Sequence, residues 1–191
     1  SHCLLLNVAG RSDETFGTIL SKPFFRHKLT AGAIYQTELA HLLRSELGLR
    51  IVQDATAFRV VGVPEKLIDF YSNRAKQIQR QLQSKGYHSA KAAAVAALDT
   101  RKAKSETPPS LNELLERWQL TNKQYGFTEQ TAHRLLGRSD FWLNIDTLEK
   151  RIASAMHDLL KSESYFSEQK LIRQVARAVM AEGISAENLI N

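Results

Sequence analysis

Residues 22–48, KPFFRHKLTAGAIYQTELAHLLRSELG, read as one long helix with a basic entrance and an apolar flank. Phe25, Leu29, Ile34, Leu39, Leu42, Leu43 and Leu47 recur at roughly helical spacing. Pro23 suits a first helical turn and Gly48 a C-terminal stop. Arg26, His27 and Lys28 crowd the first turns, where cations oppose the helix dipole. A bound phosphate would give those cations a reason to be there. The plain alternative is a surface helix whose charges are simply solvated.

The segments flanking this helix predict an α+β chain. Residues 2–8, HCLLLNV, form a short apolar run followed by turn residues, which predicts a strand. Residues 15–20 are its expected hairpin partner, and residues 50–53 and 57–61 predict a second strand pair around Asp54-Ala-Thr. Pro64 opens a helix expected to run to Gly86, striped with Leu67, Ile68, Tyr71, Ile78 and Leu82. The Ala-rich residues 90–98 predict another helix. Two prolines in residues 104–109 predict a linker. Beyond it the pattern is nearly all helical. Ser110 with Glu113 is a capping box, and helices are expected over about 128–137, 146–161, 167–181 and from Ser185. The expected organisation is residues 1–104, a linker at 105–110, and a helical segment at 111–191.

The 191 residues carry 26 Lys+Arg and 20 Asp+Glu. Residues 1–104 hold 16 of the cations and 8 of the acids, so the first half is basic and the second mildly acidic. That asymmetry suggests a polyanion partner for the first half. No apolar run is long enough to span a membrane, no signal peptide is visible, and the single Cys excludes an internal disulfide framework. The expectation is a cytoplasmic, bacterial protein. The chain opens at Ser1-His2, directly in an apolar run, and reads as a fragment of something longer.

Chemistry-bearing motifs are sparse. No Gly-rich phosphate loop, nucleophile elbow or kinase pattern occurs. Glu38 and His41 make one Glu-x-x-His, which reads as surface chemistry because a di-iron bundle needs two such pairs and two further carboxylates. Cys3 and His2 are strand neighbours pointing to opposite faces, which argues against a thiol–imidazole pair. His2 itself is either a buried structural residue or a metal ligand. The candidate DNA-binding cations are Lys22, Arg26, Lys28, Arg74, Lys76, Arg80, Arg101, Lys102 and Lys104. Phe24, Phe25, Tyr35, Tyr71 and Tyr87 are available for stacking on bases, with Phe25 and Tyr71 expected in the core.

The ordered segments His2-CLLL-Asn7, Phe25-Arg-His-Lys28, Ala31-GAIYQTE-Leu39, Val61-GVPEKLID-Phe70, Ser72-Asn-Arg74 and Ala97-LDTRKA-Lys104 resemble the TrwC/TraI-like (MobF) conjugative relaxases. Ala155-MHDL-Leu160 and Ser164-YFSEQK-Leu171 resemble the segment leading to that family's helicase part. The resemblance implies a palm of antiparallel sheet with flanking helices. It implies an enzyme that nicks and religates single-stranded plasmid DNA at a transfer origin through a 5′-phosphotyrosyl link. It also implies a divalent metal ion (Mg, Mn or Zn) on three histidines, with His2 matching the last of them. Other conjugation proteins are implied partners. The family's catalytic tyrosines and the other two metal histidines have no counterpart in this sequence, so residues 1–191 alone are expected to be inactive. No Walker A pattern is present, so a helicase motor would begin after Asn191. Two other readings compete. A non-catalytic single-stranded-DNA-binding module predicts steep salt dependence without chemistry. A helical protein-interaction adaptor predicts DNA binding no better than that of any basic protein.

Overall fold

The computed structural model describes residues 6–84, 86, 95, 109–138 and 144–190. They are mixed α and β, with two separate two-stranded antiparallel sheets and a majority of helix. The elements are β1 (Ala9–Gly10), β2 (Phe16–Gly17), α1 (Lys22–Ser45), β3 (Ile51–Asp54), β4 (Ala57–Val60), α2 (Glu65–Tyr71), α3 (Asn73–Ser84), α4 (Leu111–Gln124), α5 (Glu129–His133), α6 (Ile145–Ser162), α7 (Glu168–Val179) and α8 (Ala186–Ile190). The expected helix over 90–98 lies outside the described residues except Val95, as do linker residues 105–108.

Two compact units emerge from the packing: residues 1–59 with 137–191, and residues 60–136. This grouping differs from the 1–104, 105–110 and 111–191 division of the sequence, because the long helix takes its partners from the far end of the chain. In the first unit α1 packs along α7, and α7 along α6. Thr30 Oγ1 donates to the Gln169 carbonyl at 3.0 Å, and Thr37 Oγ1 to those of Ala33 and Ala176, each at 3.1 Å. Both inter-helix pairs have the same sequence offset, 139, so α1 and α7 run parallel. The buried face of α1 is Thr30, Ala33, Thr37 and Ala40, and the other buried apolar residues of this unit include Ala155 and Leu159 on α6, Ala176 and Val179 on α7, and Met180 after it.

This corrects the expected leucine stripe. Phe25, Leu29, Leu42 and Leu47 are exposed, and Ile34, Leu39 and Leu43 are only half-buried. The helix buries small residues instead, which let two backbones approach. The threonine hydroxyls then satisfy themselves on carbonyls within reach.

Local signals set the other boundaries. Pro23 sits in the first turn of α1. Gly48 adopts φ +63° after it, a left-handed conformation that favours glycine. An ideal Cβ on Gly48 would lie 2.5 Å from the Gly137 Cα. There the returning chain pairs with it, Gly137 N donating to the Leu47 carbonyl at 2.9 Å and Arg138 N to that of Gly48 at 2.8 Å. The β3–β4 pair forms where expected, and Gln53 Nε2 fastens it to the Arg177 carbonyl at 3.0 Å. The N-terminal hairpin is shifted. Leu6–Val8 are not strand, and β1 occupies the Ala9-Gly10 pair read as turn, in register with Gly17 and Phe16. Asp13 accepts from the backbone and hydroxyl of Thr15, so the reversal is a polar turn after Arg11.

In the second unit the single helix expected from Pro64 to Gly86 is two, α2 and α3. Ser72 at the break leaves the helical region, with φ −80° and ψ 22°, and both its hydroxyl and its amide donate to the Ile68 carbonyl, at 2.8 and 3.0 Å. The Ser110–Glu113 capping box is present in both directions, at 2.8 and 3.3 Å. Thr128 and Thr131 cap α5 in the same way. That helix is short, ending at His133 before a series of turns to Gly137. Ser167 caps α7 on the Lys170 amide.

Candidate nucleic-acid interface

The start of α1 is built against its own dipole. The first turn holds no acid, and Ser21 at the N-cap makes no side-chain capping bond. An uncapped start forgoes about 1 kcal/mol, and each opposed cation costs a few tenths more. Lys22, Arg26 and Lys28 are all exposed. Because α7 begins beside Thr30, the first two turns of α1 project beyond it.

Helical geometry separates the three cations. Thr30, Arg26 and Lys22 fall at successive four-residue steps, so Arg26 and Lys22 continue the face that packs on α7, now as a cationic strip. Lys28, two residues after Arg26, points to the opposite side and joins Phe24 and Phe25 instead. Those phenylalanines are exposed by 46% and 69%. The expectation of a core Phe25 is therefore wrong, and so is that of a core Tyr71, which is 47% exposed and bonds through its hydroxyl to Asn122. Beside Phe24 and Phe25 lies a groove of about 440 Å³, lined also by Leu6, Asn7, Thr18 and Ile19. Asn7 Oδ1 accepts from the Ile19 amide at 3.1 Å and fixes one wall.

Sequence reading missed Arg11. Its guanidinium lies over Gly17, where a Cβ would approach it to 2.6 Å, so the glycine makes room for a cation crossing the hairpin. The pairing of Gly17 with an arginine across a short turn was the available signal.

Lys76 and Arg80 lie in the second unit, on α3. Lys76 sits 3.7 Å from Asp69 in an exposed pair of little energetic weight, and Arg80 is exposed. The side chain of Arg74, together with Arg101, Lys102, Lys104, Tyr87 and His2, lies outside the described residues. Among the described residues no three of His, Cys, Asp or Glu are grouped to hold a metal ion, so those residues alone do not make the expected site. No helix among them is long and apolar enough to cross a membrane.

Glu38 and His41 have structural work. Glu38 Oε2 accepts from the Ala186 amide at 2.6 Å, at the start of α8. His41 Nδ1 lies 2.7 Å from the Gly183 carbonyl, which only accepts, so the ring donates through Nδ1. Arg44 donates to the Ala181 carbonyl from the same helix face. The three side chains hold the turn between α7 and α8.

A family model described as TrwC relaxase matches residues 1–125. Two solved structures share the fold at a TM-score of 0.52 and 25% identity, each over 64% of this chain and 44% of its own. One is the conjugative relaxase TrwC in complex with OriT DNA in a metal-free structure. The other is TrwC complexed with a 27-mer DNA comprising the recognition hairpin and the cleavage site. This chain spans less than half the length of those chains. No curated protein matches it.

Proposed function

This chain belongs to the TrwC relaxase family, and we propose that it supplies part of the single-stranded-DNA-binding surface of a conjugative relaxase. The whole protein would nick and religate plasmid DNA at a transfer origin through a phosphotyrosyl intermediate. The observation that carries the reading is the unneutralised start of α1, where Lys22 and Arg26 share one face with no acid in the turn. Two cations on one strip match consecutive phosphates of a strand, and the low cost of exposing them is offset when phosphate binds. Lys28, Arg74, Lys76, Arg80, Arg101, Lys102 and Lys104 remain proposed contributors.

His2 is a proposed ligand to a divalent ion, which when bound polarises the scissile phosphate. The ion would need groups beyond the described residues. With no counterpart here for the family's nucleophilic tyrosine, residues 1–191 bind a strand without cutting it. The test is the affinity of a labelled oligonucleotide measured against salt. Lys22→Glu with Arg26→Glu is expected to flatten the slope of log affinity on log salt by about 1.4, at roughly 0.7 per phosphate contact on single strands. An unchanged slope overturns the assignment, and metal-dependent cleavage by this chain alone overturns its inactivity. The adaptor reading draws support from α4, where Leu111, Leu115 and Trp118 fall on one exposed stripe. It predicts that the double variant leaves every specific interaction intact.

A further inference from the structure

The groove at the start of α1 has a composition that the cationic strip does not explain. Its walls are Phe24 and Phe25 from the helix and Leu6, Thr18 and Ile19 from the segments flanking the hairpin. Scattered exposed apolar side chains are ordinary, but two adjacent phenylalanines sharing one groove with a leucine form a patch. The groove also has polar equipment. Asn7 spends its carbonyl oxygen on the Ile19 amide, which leaves its NH₂ group directed elsewhere as a donor. The Ser21 hydroxyl, on the groove's rim, makes no capping bond. Lys28 stands one turn above Phe24 and Phe25, at four- and three-residue spacing, and is exposed. A flat apolar face, hydrogen-bonding groups at its edge and a cation one turn away are complementary to the parts of a nucleotide.

We propose that this groove takes one unpaired nucleobase of a single-stranded DNA, stacked on the Phe24–Phe25 wall, with the adjoining phosphate on Lys28. The assignment rests on the DNA-binding reading above and refines it. Lys22 and Arg26 hold backbone, whereas this groove holds a base. About 440 Å³ of space is ample for one base and too little for a duplex, so the groove selects unpaired strand. Stacking tolerates any base, because every base has a π-face.

The test uses the full 191-residue chain and two oligonucleotides of equal length and charge: an oligothymidylate and the same backbone made abasic. Wild type is expected to bind the thymidine strand about tenfold more tightly, the worth of one stacked base. Phe24→Ala with Phe25→Ala is expected to bring the two affinities together while leaving the salt slope unchanged. Lys28→Glu is expected to weaken both strands alike. Because both phenylalanines are already exposed, the variant's circular dichroism should match wild type. As a second readout, Phe25→Trp is expected to show added fluorescence quenching by the thymidine strand and none by the abasic strand. Equal wild-type affinity for the two strands overturns the base-binding groove while leaving the phosphate strip standing. It would favour a protein occupant for the phenylalanines. Absence of salt-dependent binding to either strand overturns the DNA-binding reading itself.

Discussion

Exchanging a small residue for a large one on α1 decides between the two accounts of how this helix packs. Ala40 is 0% exposed and sits one turn beyond Thr37, whose hydroxyl is bonded to the Ala176 carbonyl. Ala40→Leu adds three carbons. Were there slack, their burial would stabilise the fold by roughly 2.4 kcal/mol, at about 0.8 per methylene. The structure leaves no such slack. Thr37 on one side and His41 on the other hold α1 to backbone carbonyls at 3.1 and 2.7 Å. Separating the helices to admit the side chain would strain both bonds, each worth about 1 kcal/mol, on top of the usual overpacking cost of about 1–3. With no burial gain to offset them, these terms give an expected loss of about 3–5 kcal/mol. The control is Leu42→Ala. Leu42 is 43% exposed despite its place in the sequence stripe, so its truncation should cost about 1 kcal/mol or less. Urea unfolding followed by far-UV circular dichroism measures both. An Ala40→Leu variant as stable as wild type, or a larger loss from Leu42→Ala than from Ala40→Leu, would refute the small-residue interface and restore the leucine stripe.

Two further outcomes follow from the turns. The Asp13 carboxyl is held below its ordinary value, first by the Thr15 hydroxyl and then by the Thr15 amide. Its contribution to the hairpin is therefore complete above the ordinary aspartate range, about 4, and is lost as pH falls through the lowered value. In an NMR titration the Asp13 midpoint should rise toward that ordinary value in Thr15→Val, and no rise would refute the cause. Gly48 and Gly137 both have left-handed backbones, φ +63° and +65°, but only Gly48 faces backbone where a Cβ would go. Gly137→Ala should cost about 1–2 kcal/mol from conformation alone, and Gly48→Ala distinctly more. Equal losses in urea unfolding would refute the close approach.

What the sequence made legible is what neighbours decide. The Ser110–Glu113 box, the Ser167 cap, the Pro23 start and the Gly48 stop act over at most four residues, and each is where its pattern placed it. The β3–β4 pair is equally local. The buried face of α1 was illegible because its partner lies 139 residues on, and nothing in KLTAGAIYQTELAHLL says that threonine and alanine face inward. The same distance hid the roles of Glu38 and His41, whose donor and acceptor partners are backbone atoms at Ala186 and Gly183. The break at Ser72 was hidden by an amphipathic pattern that runs through it. For the interface, charge, aromatic content and the two-residue spacing that sets Arg26 and Lys28 apart on a helix were readable, but not that Phe25 lies outside.

The parallel pairing of α1 with α7 also sets a clock. During synthesis Thr37 leaves the ribosome 139 residues ahead of Ala176. At about 5–20 residues per second, that is roughly 7–28 seconds of waiting. Through that interval the longest helix among the described residues has no partner for its Thr30–Ala40 face, and the core around Met180 does not exist. A nascent chain in that state exposes surface of the kind that chaperones exist to cover. Slowing translation between residues 60 and 136 prolongs it, even though no residue there belongs to the face that waits.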